Sequence, residues 1–216
     1  VAIYASSHVD RQIVSILAES IKQDLLLSDT QLGFLIGLSF AIFYATLGIP
    51  IAILADRYSR RNIIAISVII WSGMTALCGL AGSYVQLALA RIGVGIGEAG
   101  SSPPSHSMIS DLYPPEKRAT AMGIYAAGIN VGVLLGFLVG GWIDEWYGWR
   151  MAFFVVGLPG ILLGLLMFFT VQEPSRLQAP KPMPKNIFTE VWETFKIMMA
   201  IPSLRHIVIG TTLVVF

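Results

Sequence analysis

The sequence predicts an all-α fold, a multi-span transmembrane helical bundle, and three observations carry that prediction. Of 216 residues 55% are hydrophobic and only 12% charged, with a mean hydropathy of +0.73, whereas a water-exposed domain carries about a quarter charged residues. Several stretches without Asp, Glu, Lys or Arg are long enough to cross a bilayer. Lys and Arg fall almost wholly in alternate connections between those stretches. The same composition excludes other classes. A net charge of +1 lacks the clustered basic face that nucleic acid requires. One cysteine, Cys78, and three scattered histidines offer neither a disulfide nor metal-ligand spacing, and no cofactor is indicated.

A bilayer core of about 30 Å needs roughly 20 apolar helical residues. Residues 1–27 form span one although they carry Asp10, Arg11, Glu19, Lys22 and Asp24; Asp10 and Arg11 sit where a signal peptide keeps its apolar core, and no small-residue cleavage site follows. Thr30 to Ala55 is 26 residues without a charge and forms span two. Asn62 to Ser110 runs 49 residues broken only by Arg91 and Glu98, about 74 Å as one helix. It must turn back, and Ala81-Gly82-Ser83 is the breaker that divides it into spans three and four. Ala119 to Ile143 is span five and Met151 to Gln172 span six, at 25 and 22 residues. A six-span bundle over 1–172 results. Pro174, Pro180, Pro182 and Pro184 among basic residues then read as an extended linker, and Asn186 to Ala200 places Ile187, Phe188, Val191, Trp192, Phe195, Met198 and Met199 on one helical face, an interfacial amphipathic helix. Linker and helix make up 173–202. Residues 203–216, apolar from Leu204 and too short to cross, read as the start of a seventh span cut short.

Arg57, Arg60, Arg61, Lys117, Arg118, Arg176, Lys181 and Lys185, with Lys196 on the interfacial helix, lie on one side, and only Lys22 and Arg150 on the other. Positive residues mark the cytoplasmic side. The N-terminus and the central linker are therefore expected inside a cell membrane that the chain crosses several times.

Four charges fall at membrane depth: Asp10 and Arg11 in span one, Arg91 and Glu98 in span four. Each costs about 2.5–3.5 kcal/mol at a helix centre, roughly 12 kcal/mol together, so they are expected to face protein or water and to serve a task. Arg91 and Glu98 share a helical face about 10 Å apart, where at an effective dielectric of about 20 they attract by only about 1.7 kcal/mol. Each needs another partner, and Asp10 and Arg11 are available. Two readings follow. In one the four form a buried ion-pair network joining spans one and four. In the other they line an aqueous cavity in which the carboxylates exchange protons and the arginines hold an anionic group of a substrate, Glu98 changing protonation as the cavity opens and closes. His8 lies within a turn of Asp10 and Arg11 and joins the substrate side of that cavity; His106 reads as a satisfied polar residue near a helix end.

Gly128, Gly132, Gly136 and Gly140 recur every four residues along span five, a stripe that admits another helix. Gly95, Gly97 and Gly100 match a dinucleotide-loop spacing, but no strand precedes them. Pro50, Pro103-Pro104 and Pro159 are expected to kink spans two, four and six. Spans three and six carry no charge, which suits lipid-facing positions. A membrane enzyme needs a nucleophile beside a base, or a metal cluster, and the sequence displays neither.

The second connection, Ala52-Ile-Leu-Ala-Asp56-Arg57-Tyr-Ser-Arg60-Arg61, resembles the signature loop of the major facilitator superfamily, G-x-L-A-D-R-x-G-R-R, departing at Ala52 and Ser59. The resemblance implies that Asp56 and Arg60 join Asp111 in a cytoplasmic latch of the outward-facing state, and that six spans, a linker and a new span are the N-terminal half of such a transporter with its central loop. Within the superfamily the chain is similar to spinster-type transporters. His8-Val-Asp10-Arg11, Arg91-Ile-Gly-Val-Gly-Ile-Gly97-Glu98-Ala99, and Gly148-Trp-Arg150 leading to Gly157-Leu-Pro159-Gly160 carry that likeness. It implies a relation to exporters of sphingosine 1-phosphate and lysophospholipids, with Asp10, Arg91 and Glu98 as proton-coupling and gating residues. Span five has Gly128-Ile129 where the antiporter signature has Gly-Pro, leaving the direction of coupling open. The expected function is alternating-access secondary transport, proton-coupled, with Arg11, Arg91 and His8 binding an amphipathic, lysophospholipid- or sphingosine-phosphate-like anion. A small polar anion or an exported drug would be served by the same charges.

Overall fold

A computed structural model describes residues 1–176, 187–206 and 210. It divides into two compact units, Val1–Pro180 and Lys181–Phe216. The first is all-helical among the described residues. Span one is α1, Ala2–Ile16, and α2, Ala18–Leu25, joined at Leu17 without loss of the hydrogen-bond ladder. Span two opens on a capping box in which Ser28 and Gln31 satisfy each other's backbone amides, a reciprocal pairing that fixes a helix start. From there α3, Asp29–Gly33, a π turn over Phe34–Leu38, and α4, Ser39–Ala55, form one rod. Span three is α5, Arg60–Cys78, capped by Ser59. Span four is two helices: α6, Tyr84–Glu98, capped by Ser83, and α7, Ser102–Leu112. Pro103 and Pro104 lie in the first turn of α7 rather than kinking a continuous helix, a position where the missing amide has no intrahelical partner to lose. Spans five and six are α8, Pro115–Tyr147, and α9, Trp149–Thr170.

Among the described residues four rods are long and apolar enough to cross a bilayer: Asp29–Ala55, Arg60–Cys78, Pro115–Tyr147 and Trp149–Thr170. The two spans with charges at depth are the two divided ones. Close approach sets the packing. Gly128, Gly132, Gly136 and Gly140 of α8 receive α1, and a Cβ on Gly136 would stand 3.2 Å from Gln12 Cβ. The turn from α8 to α9 is made at Gly148, whose φ of +82° side chains other than glycine rarely adopt. Directly after it Arg150 pairs with Asp24 of α2 at 2.7 Å and donates to Ala81 O in the α5–α6 connection, so the Gly148-Trp149-Arg150 string ties three connections together.

Span three departs from its expected lipid-facing place. Half of it is buried, with Ile64, Ala65, Val68 and Trp71 in a core shared with Phe40 and Val94. Absence of charge marks a helix that meets no water, and a helix inside protein satisfies that as well as one in lipid.

Beyond span six, the predicted linker does not leave the bundle at residue 172. Residues 173–176 stay in the first unit, held by Glu173 and Arg176. Residues 177–186, including Pro180, Pro182, Pro184 and Asn186, lie outside the described residues, as do 207–209 and 211–216 of the expected seventh span. In the second unit α10, Ile187–Ala200, stacks Trp192 on Phe195 and pairs Glu193 with Lys196.

Candidate functional site

The glycines of span four build the site. A Cβ on Gly95 would meet Phe40 O at 2.7 Å, and one on Gly97 would meet Trp71 N, Cβ and Cα at 2.7–2.9 Å. The dinucleotide-like spacing is thus a contact seam: α6 lies so close to α4 and α5 that Phe40 and Trp71 reach α1. Trp71 Nε1 donates to Asp10 Oδ2 at 3.0 Å. Arg11 crosses from α1 to α6 and gives both Nε and Nη2 to Glu98 Oε2, at 2.8 and 2.7 Å. Its guanidinium lies 4.9 Å from the Phe40 ring centre and 4.7 Å from that of Tyr44, a range in which cation–π attraction contributes about 0.5–2 kcal/mol.

Spans one and four are therefore joined by their charges, as the sequence predicts, but not pair by pair. Arg91 does not bond the Asp10 carboxylate; its Nη1 donates to the Asp10 backbone carbonyl at 3.3 Å, and its own carbon sits 5.6 Å from the Phe40 centre. Asp10 Oδ1, Arg91 Nε and Glu98 Oε1 are buried without a hydrogen-bond partner. Among the described residues, the four do not share the expected aqueous surroundings. Asp10 is 0% exposed, Arg91 and Glu98 1% each, while the Arg11 side chain is 30% exposed. Two apolar grooves flank α1, of about 360 and 580 Å³, and the four charges line neither. Water reaches one member only, because the close helix contacts that bring Trp71 and Phe40 inward also close the space behind Arg11.

His8 is not in hydrogen-bond contact with these charges. Its Nδ1 meets Tyr4 O at 2.8 Å and its ring stands edge-on to Tyr4. Tyr4 stacks on Tyr125, and the exposed His106 ring meets Tyr125 edge-on, giving an aromatic row from His8 to His106. Phe40, Tyr44, Trp71, Tyr4 and Tyr125 escape a reading based on charge; the one sequence signal for the first and third was the glycine spacing opposite them.

At the ends of α5 and α7, Arg60 is 1% exposed. It pairs with Asp111 at 2.5 Å and with Glu173 at 2.8 Å, and also donates to Ser107 and Pro174 O. Asp56 is not in this cluster: its side chain is exposed, and its backbone carbonyl accepts from Arg176. Glu173 takes the place expected for Asp56, since the chain past span six folds back where the loop acid points outward. Burial raises the Glu173 carboxyl pKa, but the Arg61 amide, the Arg60 guanidinium and the Ser59 hydroxyl outweigh it and hold the group below its ordinary value. Glu173-Pro174-Ser-Arg176 was readable only as linker composition.

The family model of the Major Facilitator Superfamily matches residues 1–216. An efflux pump of that type from Mycolicibacterium smegmatis is 35% identical over 208 residues, 96% of this chain and 48% of the relative. The hexuronate transporter of Bacillus subtilis is 31% identical over 167 residues, 77% of this chain and 39% of the relative. A crystal structure of a bacterial homologue of the human lysosomal transporter spinster, inward-facing and unoccupied, is 41% identical and superposes with a TM-score of 0.78 over 93% of this chain and 47% of that one. The chain spans about half the length of the relatives it matches, their N-terminal half. With its helical bundle, a buried arginine at the start of span three and charges shared between spans one and four, it belongs to the Major Facilitator Superfamily, a family of transporters and not of enzymes, and is spinster-like within it.

Proposed function

We propose that the chain is the N-terminal half of a proton-coupled secondary transporter that moves an amphipathic anion, of the lysophospholipid or sphingosine-phosphate kind, by alternating access against its C-terminal half. One observation carries the reading: Arg11 is a cation with one open side, its counterion Glu98 is buried, and aromatic rings flank it. An anionic headgroup that takes Arg11 releases Glu98, and a buried carboxylate without its cation is so costly that it takes up a proton instead. Binding of the anion and protonation of Glu98 then accompany one another. Asp10 is the second proton carrier. Arg91 and His8 act by holding α1 through carbonyl contacts, and the rings of Phe40, Tyr44 and Tyr4 supply an apolar wall for a tail. The arrangement crosses the cell membrane several times, with the N-terminus, the linker and α10 over 173–202, and the Arg60–Asp111–Glu173 latch on the cytoplasmic side, followed by a seventh span.

The hexuronate transporter relative favours a second reading, a small polar anion; the efflux pump relative favours a third, an exported drug. The intact protein in liposomes distinguishes them. Under an imposed pH gradient, flux is measured for a lysophospholipid with an anionic head, a hexuronate and a cationic dye, with Arg11→Ala and Arg91→Ala in parallel. Flux of the lysophospholipid alone, lost in Arg11→Ala, is expected; flux of the hexuronate alone refutes the amphipathic reading, and flux indifferent to pH refutes the coupling.

A further inference from the structure

Beside Asp10 lies a hydroxyl of α5 that the mechanism above does not use. Ser72 and Thr75 stand one turn apart on α5, both 0% exposed, and neither hydroxyl has a hydrogen-bond partner. Among the described residues Ser101 Oγ and Tyr125 OH share that condition, while other helical hydroxyls do not. Ser39, Thr46 and Thr170 each turn their hydroxyl to the carbonyl four residues back, at 2.9, 2.7 and 2.6 Å, the ordinary resort of a helical Ser or Thr. Ser72 and Thr75 leave that option unused inside a dry bundle, where an unmade hydrogen bond costs about 1–3 kcal/mol. The third unpartnered oxygen there is Asp10 Oδ1. Thr75 stands one turn beyond Trp71 on the same face of α5, beside the Asp10 carboxyl that Trp71 Nε1 reaches.

The chemistry of the partners is unequal. Trp71 Nε1, on Asp10 Oδ2, is a donor only. It therefore keeps Oδ2 an acceptor whether or not the carboxyl carries a proton, and the proton belongs on Oδ1. There the O–H needs an acceptor. A threonine hydroxyl both accepts and donates, so it serves the neutral acid by accepting and the carboxylate by donating. Other groups that act on Asp10 are Arg91 and Glu98 of α6 and Cys78 of α5, with Arg11 beyond Glu98; they change its charge balance without choosing between its oxygens.

The geometry points to Thr75 as the positioning residue that receives the Oδ1–H of neutral Asp10. This rests on the reading that Asp10 carries a proton. It makes α5, a span without titrating carboxylates, the side from which the protonated state is held.

Infrared difference spectra between alkaline and acid buffer, taken on the intact transporter in lipid, test it. The protonated Asp10 carboxyl gives a C=O stretch identified by its loss in Asp10→Asn. Thr75→Val, equal in volume, is expected to move that band to higher frequency, because the acid O–H loses its acceptor, while Thr75→Ser leaves it in place; Thr75→Ala serves if valine does not fold. Trp71→Phe moves the band upward as well, and the double variant adds the two shifts, since they act on different oxygens. A band unmoved by Thr75→Val yet moved by Trp71→Phe overturns the assignment and leaves Asp10 a proton carrier. No band lost in Asp10→Asn instead overturns the reading on which it rests.

Discussion

Glu98→Gln separates the two roles given to the Arg11–Glu98 pair. Glu98 Oε2 holds Nε and Nη2 of Arg11 at 2.8 and 2.7 Å, so the charge centres stand about 4 Å apart, where attraction at an effective dielectric of 20 is about 4 kcal/mol. The Arg11 side chain is 30% exposed, and water on its open face screens that figure down to the range of a charged hydrogen bond, about 1.5–3 kcal/mol. An anion that takes Arg11 must overcome this competition. Glutamine keeps the shape and an acceptor for Arg11 but presents no charge. Affinity for an anionic lysophospholipid at neutral pH is therefore expected to rise about 10- to 150-fold, at about 1.4 kcal/mol per decade. The wild type should bind more tightly as the medium is acidified, and the variant should show no such dependence. Folding should change little, since a buried carboxylate and its desolvation penalty go together. Fluorescence titration of the intact protein in lipid nanodiscs at a series of pH values measures both quantities. Unchanged affinity, or a pH dependence that survives the substitution, refutes competition at Arg11.

Gly97→Ala places a methyl group 2.7–2.9 Å from the Trp71 backbone and Cβ, so α5 and α6 must part; a loss of about 1–3 kcal/mol is expected from overpacking, whereas Gly73→Ala, with open space around it, should cost nothing, and unfolding in detergent micelles compares the two. Asp111→Asn removes a charged partner of buried Arg60 and should cost about 1.5–3 kcal/mol, while Asp56→Asn stays within about 0.5 kcal/mol; equal losses would return Asp56 to the latch. Glu173 has a folded pKa held below its ordinary 4.5, so its stabilisation is complete above the unfolded value and lost as pH falls through the lower folded one. Wild type and Glu173→Gln should accordingly differ in stability at neutral pH and converge in acid below about 4.5, which unfolding midpoints across that range would show.

Hydropathy and breaker residues were enough to define the fold class and the division into spans, because a bilayer imposes length and polarity on each segment independently of its neighbours. The charge cost was equally local: Asp10, Arg11, Arg91 and Glu98 stand out from oil in any arrangement, and their need for one another could be read before any coordinates. What each of them touches could not. Whether Arg91 met the carboxylate or the carbonyl of Asp10, whether Asp56 or Glu173 joined Arg60 and Asp111, and whether span three faced lipid or Trp71 met Asp10, depended on which helix faces lie against one another. Those choices were made by close contacts at Gly95, Gly97 and the α8 stripe, where a single missing methyl group decides how near two backbones come. A glycine in a sequence permits such an approach without naming the partner, and only the packed bundle names it.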